Sequence, residues 1–298
     1  MVDWTVKKLL DWITKYLDEK SVDSPRLCAE LLLGYVLGLE RIHLYTNFDK
    51  TIGQSELDQL HSLVKRAADH EPVQYLVGRT EFYSIEMEVS RDCLIPRPET
   101  ELLVEYAIEF LRARQGPQLV CDLCTGSGCI AVAIAKNHSE SKIIATDICD
   151  KALTMADINV KKHNLTDQIE LLCGDLFEPL VPQLDKAKFD LVVSNPPYVS
   201  TKEYEKLDKN VKEYEPSHAL LAGVDGLDAY RRICNLIGEF LKPDAAFMLE
   251  IGYTQGQEVK DLIHNTGLFA EVQIIQDFYN LDRIVIGKCR SDRSSGGI

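Results

Sequence analysis

The chain has 298 residues, of which 45% are hydrophobic and 27% are charged, and its formal net charge at pH 7 is −14. This composition is typical of a soluble globular protein with one large domain or two smaller ones. The negative charge argues against a protein whose main affinity is for a phosphate backbone, because that affinity depends on clustered lysine and arginine. No apolar run reaches the roughly 18 residues of a membrane span. The amino-terminal segment also lacks the apolar core of a signal peptide, so we expect a cytoplasmic protein without membrane contact.

Residues 1–75 are predicted to form a small helical domain. Apolar residues recur at helical spacing between Val6 and Leu17, which gives one apolar face. A Ser-Pro pair at 24–25 suits the start of a second helix. A third helix is predicted over about 55–70, again with leucine and valine on one face.

Residues 76–97 are predicted to link the two domains. The segment FYSIEMEVSRDCLI (82–95) alternates apolar and polar residues around a Ser-Arg-Asp turn, which predicts a β-hairpin. Two prolines in IPRPETE then exclude a helix until a new one opens at Glu99.

Residues 98–298 are predicted to form an α/β domain. From Leu119 onwards, predicted strands alternate with predicted helices, which is typical of a parallel sheet with helices on both faces. The last two strands, AEVQIIQD and RIVIGKC, are separated by only a few residues, so they must pair as an antiparallel hairpin. We therefore expect a Rossmann-like sheet of seven strands, mostly parallel.

Three of the nine cysteines, Cys121, Cys124 and Cys129, form the only cysteine cluster in the sequence. A fourth metal ligand has no obvious source, and two of the three lie in or beside an apolar strand. Free cysteine is commonly buried as a small hydrophobic residue. We therefore expect neither a metal site nor a disulfide.

A glycine-containing loop follows the first strand of the α/β domain. Residues 122–128 read Asp-Leu-Cys-Thr-Gly-Ser-Gly, and glycine there lets the backbone turn sharply and approach a ligand closely. Asp147 ends the next strand, where a carboxylate can accept both hydroxyls of a ribose. The loop also matches the fingerprint of nicotinamide dinucleotide enzymes, so by itself it does not identify the nucleotide.

Asp175 ends the third strand of this domain. Its carboxylate can accept the exocyclic amine of an adenine, and Leu176 and Phe177 can pack on the adenine ring. Together with the glycine loop, these residues predict a nucleotide site at the carboxyl edge of the sheet.

Asn195-Pro196-Pro197-Tyr198 directly follows the apolar run LVVS. Neither proline can donate to a ladder, and both fix φ, so the strand must end in a stiff turn. The Asn195 side-chain oxygen and the Pro196 carbonyl can both act as acceptors, and Tyr198 can supply a packing face.

Two acceptors at a rigid turn suit methyl transfer to an amide or aryl amine. Such a nitrogen is a poor nucleophile because its lone pair is delocalised. Acceptors that bind both N–H groups favour a pyramidal nitrogen and aim the lone pair at the methyl donor. Positioning and electrostatics then carry the rate, without a metal or a strong base.

With these motifs together, the chain resembles the protein glutamine N5-methyltransferases, and among them the release-factor methyltransferases. The resemblance covers nearly the whole chain. It includes EPVQYLVGRTEFY (71–83), LIPRPETELLVE (94–105), the glycine loop, VSNPPY (193–198), EPSHALLAGVDGLDAYR (215–231), LEIGYTQG (249–256) and DRIVIG (282–287).

The resemblance implies a class I methyltransferase domain that binds S-adenosylmethionine and a helical domain that helps to recognise the substrate protein. It implies methylation of the glutamine in the GGQ tripeptide of peptide chain release factors. The positions that match the family's cofactor contacts are Cys124, Thr125, Gly126, Ser127, Gly128, Asp147, Leu176 and Asn195. The positions that match its glutamine site are Asn195, Pro196, Pro197 and Tyr198.

One position departs from the family pattern. Cys124 stands where the family usually has the first glycine of its loop, which puts a side chain near the methionine moiety of the cofactor. We expect the change to tune affinity without abolishing binding, because Gly126 and Gly128 remain.

Other functions stay open at this point. An adenine N6 nucleic-acid methyltransferase uses the same Asn-Pro-Pro-Tyr chemistry, although the net charge and the lack of a basic target-reading region disfavour a nucleic-acid substrate. A ribosomal-protein glutamine methyltransferase would share the catalytic residues. A nicotinamide oxidoreductase or a non-catalytic binding module would leave the proline turn unexplained.

Overall fold

The structure is a computed structural model and describes residues 4–183 and 188–290. The chain forms two compact units. The first comprises the residues up to 79 together with 208–214, and the second comprises 80–207 and the residues from 215 onwards.

The first unit is helical. Its helices before residue 80 are α1 (Val6–Glu19), α2 (Pro25–Leu37), α3 (Arg41–Thr46), α4 (Gln54–Ala68) and α5 (Val73–Val77). The three longer helices match the predicted ones, whereas the short α3 and α5 were not predicted because one or two turns carry too little periodicity. Leu10, Ile13, Leu32 and Leu44 are fully buried in the core between the helices. In the separate segment 208–214, the Tyr214 hydroxyl donates to the Asp69 carbonyl at 3.0 Å, within the same unit.

The second unit is an α/β sheet domain preceded by a short hairpin. Its strands are β1 (Arg79–Phe82, which begins at the boundary), β2 (Ile85–Glu88), β3 (Leu119–Leu123), β4 (Lys142–Asp147), β5 (Ile169–Cys173), β6 (Phe189–Ser194), β7 (Leu241–Glu250), β8 (Phe269–Gln276) and β9 (Asp282–Cys289). The remaining α-helices among the described residues are α6 (Thr100–Arg112), α7 (Cys129–Asn137), α8 (Asp150–Lys162), α9 (Thr201–Tyr204), α10 (Lys209–Lys212, in the first unit), α11 (Asp228–Leu236) and α12 (Gly256–Asn265).

Seven strands form one sheet in the order β5-β4-β3-β6-β7-β9-β8. β5, β4, β3, β6 and β7 are parallel, and β9 runs antiparallel to both β7 and β8. The predicted fold class, a mostly parallel sheet with a terminal antiparallel hairpin, is therefore confirmed. Because these five strands are parallel, the carboxyl ends of β3, β4, β5, β6 and β7 meet at one edge.

The apolar cores of the second unit explain why its strands are recognisable in the sequence. All six residues of β6 are buried, as expected for a central parallel strand covered on both faces. One core contains Ile130, Val193 and Met248, and the other contains Val192, Phe247 and Phe240. Among residues 4–183 and 188–290, no helix combines the length and the apolar character that a membrane crossing requires.

The hairpin before the sheet turns at a different place from the one predicted. Tyr83 and Ser84 have φ values of 51° and 57° and connect β1 to β2. A two-residue turn with positive φ at both positions matches the twist of a hairpin. The Ser-Arg-Asp segment does form a turn, in which the Cys93 amide donates to the Ser90 carbonyl at 3.2 Å, but it lies after β2 and does not connect the hairpin strands.

Candidate active site

A cavity of about 330 Å³ lies in the second unit, at the carboxyl edge of the parallel strands. This volume is in the range of small-molecule sites in proteins. Nine of the predicted site residues line it: Cys124, Thr125, Gly126, Ser127, Asp147, Asp175, Leu176, Asn195 and Pro197. The nucleotide half and the proline turn of the predicted site therefore share one cavity.

The glycine loop between β3 and α7 takes its shape from left-handed backbone. Gly126 has φ of 56° and Gly128 has φ of 80°, a region in which glycine has no steric penalty. The Thr125 amide donates to the Thr146 carbonyl at 3.0 Å, which ties the loop to the end of β4. The loop thus leaves the sheet in a fixed direction and presents its backbone to the cavity.

Gly128 serves packing rather than the cavity lining. A Cβ at this position would lie 3.1 Å from the Ala156 Cβ and 3.3 Å from the Ala156 Cα in α8. The absence of a side chain lets the start of α7 approach α8 closely. Its predicted contact with a cofactor stays a prediction, since the cavity is lined by its neighbours Ser127 and Cys129 instead.

Cys124 has a φ of 59°, in the left-handed region that glycine prefers. A residue with a Cβ is strained there by roughly 1 kcal/mol or more. This backbone conformation explains why the related family usually has glycine at this position. Burial raises the pKa of the Cys124 thiol, so the side chain that lines the cavity is neutral.

Asp147 connects the loop to the end of β4. One carboxyl oxygen accepts from the Gly126 amide at 2.8 Å and the other accepts from the Cys149 amide at 2.9 Å. Burial raises the pKa of Asp147, and the two amide donors oppose that rise. Each oxygen keeps a second lone pair that can accept a ligand hydroxyl from the cavity.

Of the residues predicted to contact a ligand after β5, only some line the cavity. The Asp175 carboxylate forms an ion pair with Arg232 of α11, and both line the cavity. Leu176 also lines the cavity, but Phe177 does not: it is fully buried and stacks on Phe240 with a centroid distance of 4.3 Å. The expectation that Phe177 packs on a ligand ring is wrong, because a core partner takes its face.

The Asn-Pro-Pro-Tyr turn begins at the end of β6. The Ser194 hydroxyl donates to the Leu123 carbonyl at 2.7 Å, which fixes the ends of β6 and β3 against each other. The Asn195 side-chain amide donates from Nδ2 to the Thr100 hydroxyl oxygen at 3.2 Å. Because the nitrogen faces Thr100, the side-chain oxygen is the group that Asn195 can offer to a ligand in the cavity.

The three remaining residues of the turn differ in their position relative to the cavity. Pro196 is buried, whereas Pro197 lines the cavity. The Tyr198 ring packs against the loop after β7, where a Cβ on Gly252 would lie 3.4 Å from the ring. Tyr198 is not among the residues that line the cavity, and burial raises the pKa of its hydroxyl.

Gln255 holds this turn in place through hydrogen bonds, a role that we did not predict from the sequence. Its Nε2 donates to the Tyr198 carbonyl at 3.0 Å and to the Gly226 carbonyl at 3.3 Å. Its Oε1 accepts from the Gly252 amide at 3.1 Å. One buried amide thus joins three loops at the carboxyl edge, and the signal for it lay in the LEIGYTQG segment.

Glu250 is a buried carboxyl at the end of β7. The pairing of Ser194 with Leu249 brings it beside Asn195. Burial raises its pKa to about 7, and the neighbouring Thr100 hydroxyl opposes that rise. Its Oε2 has no hydrogen-bond partner among the described residues. The acceptor turn is therefore backed by a carboxyl that is readily protonated.

The segment 215–223 forms a further wall of the cavity. The buried Glu215 carboxylate pairs with Arg97 and accepts from the Ile95 amide at 3.3 Å. Backbone bonds join the segment to the chain after the proline turn, including Val199 N to Leu220 O at 2.8 Å. His218 and Arg97, neither predicted, line the cavity.

Comparison with known proteins agrees with this geometry. The family model "PrmC N-terminal domain" matches residues 8–78, and "Methyltransferase small domain" matches residues 100–213. The release factor glutamine methyltransferase of Geobacter sulfurreducens is 42% identical over 285 residues, which cover 96% of this chain and 97% of the relative. The protein of the same name from Rhodopirellula baltica is 40% identical over 285 residues, with 95% of each chain covered.

Among solved structures, the catalytic domain of hMettl16 in complex with an RNA hairpin superposes with a TM-score of 0.57. The two sequences are 16% identical, and the match covers 77% of this chain and 84% of the hMettl16 chain. The likeness therefore concerns the fold alone. The full-length relatives carry more information, because their identity extends through both units. The sequence identity, both domain models and the layout of the cavity show that this chain is a methyltransferase and belongs to the release factor glutamine methyltransferase family.

Proposed function

We propose that the protein transfers a methyl group from S-adenosylmethionine to the side-chain amide nitrogen of the glutamine in the GGQ tripeptide of a peptide chain release factor. The observation that carries the proposal is the orientation of Asn195. Its nitrogen is held by Thr100 while the residue lines the same cavity as the glycine loop and Asp147. A hydrogen-bond acceptor for an amide thus stands beside a nucleotide-type pocket.

The residues of the cavity fit S-adenosylmethionine. Asp147 has a lone pair on each oxygen for the ribose hydroxyls, beyond those that accept backbone amides. Leu176 offers an apolar wall for the adenine, and Asp175 can accept its amine if Arg232 shares the carboxylate. The backbone of residues 124–127 borders the space for the methionine moiety. When bound, the cofactor supplies a methyl group on a positively charged sulfur.

Asn195 and Pro196 supply the acceptors that the reaction needs. The amide nitrogen of glutamine is a weak nucleophile, so its two N–H groups must be held while the lone pair faces the methyl group. The Asn195 oxygen can accept one N–H, and the Pro196 carbonyl, next in the chain, can accept the other. The N–H becomes acidic only as the nitrogen is alkylated, and its proton can then pass to water, so hydrogen-bond acceptors suffice and no strong base is required.

The surrounding residues hold these acceptors in place. Two adjacent prolines fix the backbone direction of the turn. Gln255 restrains the Tyr198 carbonyl, and Arg97 with Glu215 anchors the facing wall. A rigid and mostly enclosed site strengthens the interaction between fixed acceptors and the amide.

The substrate and its recognition rest on family membership. The curated relatives are release factor glutamine methyltransferases, and a glutamine that follows two glycines can enter a narrow cavity without side-chain clash. We propose the helical domain, residues 1–75, as the part that grips the release factor, with 76–97 as linker and 98–298 as the catalytic domain. Because translation takes place in the cytoplasm, the proposed reaction belongs there.

A labelling experiment separates this substrate from the others. The protein is incubated with methyl-labelled S-adenosylmethionine and, in separate reactions, with a release factor, ribosomal proteins, DNA and RNA. We expect label on the release factor, and a release factor whose GGQ glutamine is replaced by alanine should stay unlabelled. Label confined to a ribosomal protein or to a nucleic acid would contradict the proposal.

A further inference from the structure

The turn between β8 and β9 exposes two neighbouring aromatic side chains. Phe278 is 96% exposed and Tyr279 is 85% exposed, the highest values among the exposed aromatic residues of the described chain. We call residues 277–281 the aromatic tip. Isolated apolar residues on a surface are common, but adjacent aromatic rings that are almost fully exposed at the end of a hairpin are typical of interaction sites.

Hydrogen bonds and an ion pair of Asp277 fix the backbone of the aromatic tip. The Asp277 carboxylate accepts from the Tyr279 amide at 2.8 Å and from the Leu281 amide at 3.1 Å. Its second oxygen pairs with Arg283 at 3.0 Å, and both of those side chains are largely shielded from solvent. The Asp277 amide closes the turn by donating to the Leu281 carbonyl at 2.9 Å. The two rings are therefore presented on a fixed frame, which lowers the entropy lost on binding.

The sheet places the aromatic tip at the same edge as the acceptor turn. β9 is antiparallel to β7, and Ile284 pairs with Glu250, the last residue of β7. Just beyond that pair, the Ile251 amide donates to the Arg283 carbonyl at 2.9 Å. The turn that precedes β9 must therefore lie at the carboxyl end of β7.

A third exposed aromatic residue lies in the loop that follows β7, at the same edge of the sheet. Tyr253 is 59% exposed and directly follows Gly252, against which the Tyr198 ring packs. Tyr253 thus belongs to the loop that touches the acceptor turn, and the tip belongs to the strand bonded to that loop. The three exposed aromatic residues therefore belong to loops at the edge of the sheet that holds the candidate active site.

A protein is the occupant that this surface fits best. Aromatic side chains are enriched among the anchors of protein interfaces. The reacting amide belongs to a protein in the proposed function, and most of that protein has to lie outside the cavity beside its rim. A net charge of −14 disfavours attachment to an anionic membrane, the other common use of exposed aromatic tips.

We propose that the aromatic tip, with Tyr253, is a docking surface on the catalytic unit for the protein substrate, separate from the helical unit and from the glutamine site. The inference rests on the proposed function, because the partner is the methylated protein itself. Phe278 and Tyr279 would pack on an apolar patch of the release factor beside the loop that carries the glutamine. The contact would hold the catalytic unit over that loop while the amide is in the cavity.

Two measurements on the full-length protein test the proposal. In the first, the double variant Phe278→Ser, Tyr279→Ser is compared with Leu236→Ser. Leu236 serves as the control because it is also an exposed apolar residue, with 40% exposure, on the same unit. It lies at the end of α11, a helix whose first residues line the cavity. We expect the double variant to raise the KM for intact release factor about tenfold or more, the usual effect of removing interface anchors. Leu236→Ser should leave that KM within about twofold, as surface substitutions generally do.

Affinity for S-adenosylmethionine and the melting temperature serve as folding controls, and both should match the wild type in both variants. In the second measurement, a photoreactive benzoylphenylalanine replaces Phe278 or, as the control, Leu236. Position 278 should crosslink to the release factor and position 236 should not.

The outcomes separate this proposal from the proposed function. If the wild type methylates a release factor but the double variant has an unchanged KM and position 278 does not crosslink, the docking surface is wrong and the proposed function stands. If the wild type methylates no release factor, both fail. Loss of vesicle binding or of self-association in the double variant, with the KM unchanged, would assign the tip to a membrane or a second copy and would also overturn the proposal.

Discussion

The two sides of the cavity are built in different ways. The cofactor side, made by the glycine loop and Asp147, is held by backbone conformation and by backbone amides that donate to one carboxylate. The acceptor side, made by Asn195 to Tyr198, is held by side chains from other parts of the chain, chiefly Thr100 and Gln255. Each side therefore depends on a different kind of interaction.

This difference has a consequence for substitutions. A change on the cofactor side should alter the affinity for S-adenosylmethionine, because we propose that the loop and Asp147 bind that ligand directly. A change behind the acceptor side should alter turnover, because those residues act through the direction of an amide oxygen and a carbonyl. Rates are more sensitive than ground-state binding to such small displacements.

The largest expected effect is that of Asn195→Ala on the rate of methyl transfer. It removes one of the two acceptors that orient the amide, so kcat should fall by about 10²- to 10³-fold, the usual loss for a preorganised hydrogen-bonding group. Asn195→Asp is the matched control, because it keeps an acceptor oxygen and loses the donation to Thr100. Single-turnover kinetics with release factor measures both. Near-normal turnover in a folded Asn195→Ala protein would show that the acceptor mechanism is wrong.

Asp147→Ala should act on the other side of the cavity. It removes the proposed acceptor of the ribose hydroxyls and the partner of the Gly126 and Cys149 amides. Affinity for S-adenosylmethionine should weaken by about 1–3 kcal/mol, the scale for losing hydrogen bonds to a charged group. Calorimetric titration of the wild type and the variant measures this. If the affinities are equal, or if the wild type binds NADH instead, the cofactor assignment fails.

The residues of the cofactor side are easier to recognise in the sequence than those that hold the acceptor side, for a physical reason. β3, the glycine loop and Asp147 are each marked by local patterns, namely an apolar run, small residues at a turn and a carboxylate at a strand end. The bond from Asn195 to Thr100 joins residues 95 positions apart, and the bond from Gln255 to Tyr198 joins residues 57 positions apart. Long-range bonds of this kind leave no periodicity in the sequence.

The fold was predictable because its strands are also marked by local patterns. The errors in the prediction concern one turn and one side chain. The strands from β3 to β9 are apolar runs covered by helices or paired in a hairpin, so their existence and order followed from the sequence. The hairpin turn at Tyr83 and Ser84 did not follow from the sequence, because tyrosine is unusual at positive φ. The nearby Ser-Arg-Asp segment, by contrast, has a typical turn composition. The orientation of Phe177 depended on Phe240, a residue from a distant part of the chain.

Glu250→Gln tests whether a buried carboxyl backs the acceptor side. The pKa of Glu250 rises from 4.5 to about 7 in the folded protein, so the protonated form stabilises the fold below pH 4.5. That stabilisation is lost as the pH rises towards 7. Relative to the wild type, Glu250→Gln should therefore gain stability on the order of 2 kcal/mol between those pH values. Urea unfolding at both ends of the window measures this, and a pH-independent difference would contradict the assignment.

Gln255→Leu should produce a smaller loss, confined to turnover and stability. Leucine keeps most of the volume but leaves the carbonyls of Tyr198 and Gly226 without their donor. We expect kcat to fall about tenfold and the free energy of unfolding to fall by about 1–3 kcal/mol, while affinity for S-adenosylmethionine is retained. Gln255→Glu, which keeps only the acceptor, should behave similarly. A change in cofactor affinity alone would remove the distinction between the two sides.

Cys124→Gly should have the smallest effect. It relieves the strain of a side chain at φ of 59° but increases the entropy of the unfolded chain, and these contributions are each about 1 kcal/mol. The melting temperature should therefore change little, and affinity for S-adenosylmethionine should shift by less than about 1 kcal/mol. Cys124→Val, with a branched Cβ in the same conformation, should be clearly less stable. If Cys124→Gly abolishes cofactor binding, the thiol has a role beyond filling the glycine position.

The most direct test is mass spectrometry of an intact release factor after reaction with this protein and S-adenosylmethionine. We expect a gain of one methylene unit, located by fragmentation on the side-chain amide nitrogen of the GGQ glutamine, and a gain that accumulates about 10²- to 10³-fold more slowly with the Asn195→Ala variant. An unmodified GGQ glutamine, with the methyl group found on another residue or another molecule, would contradict this expectation.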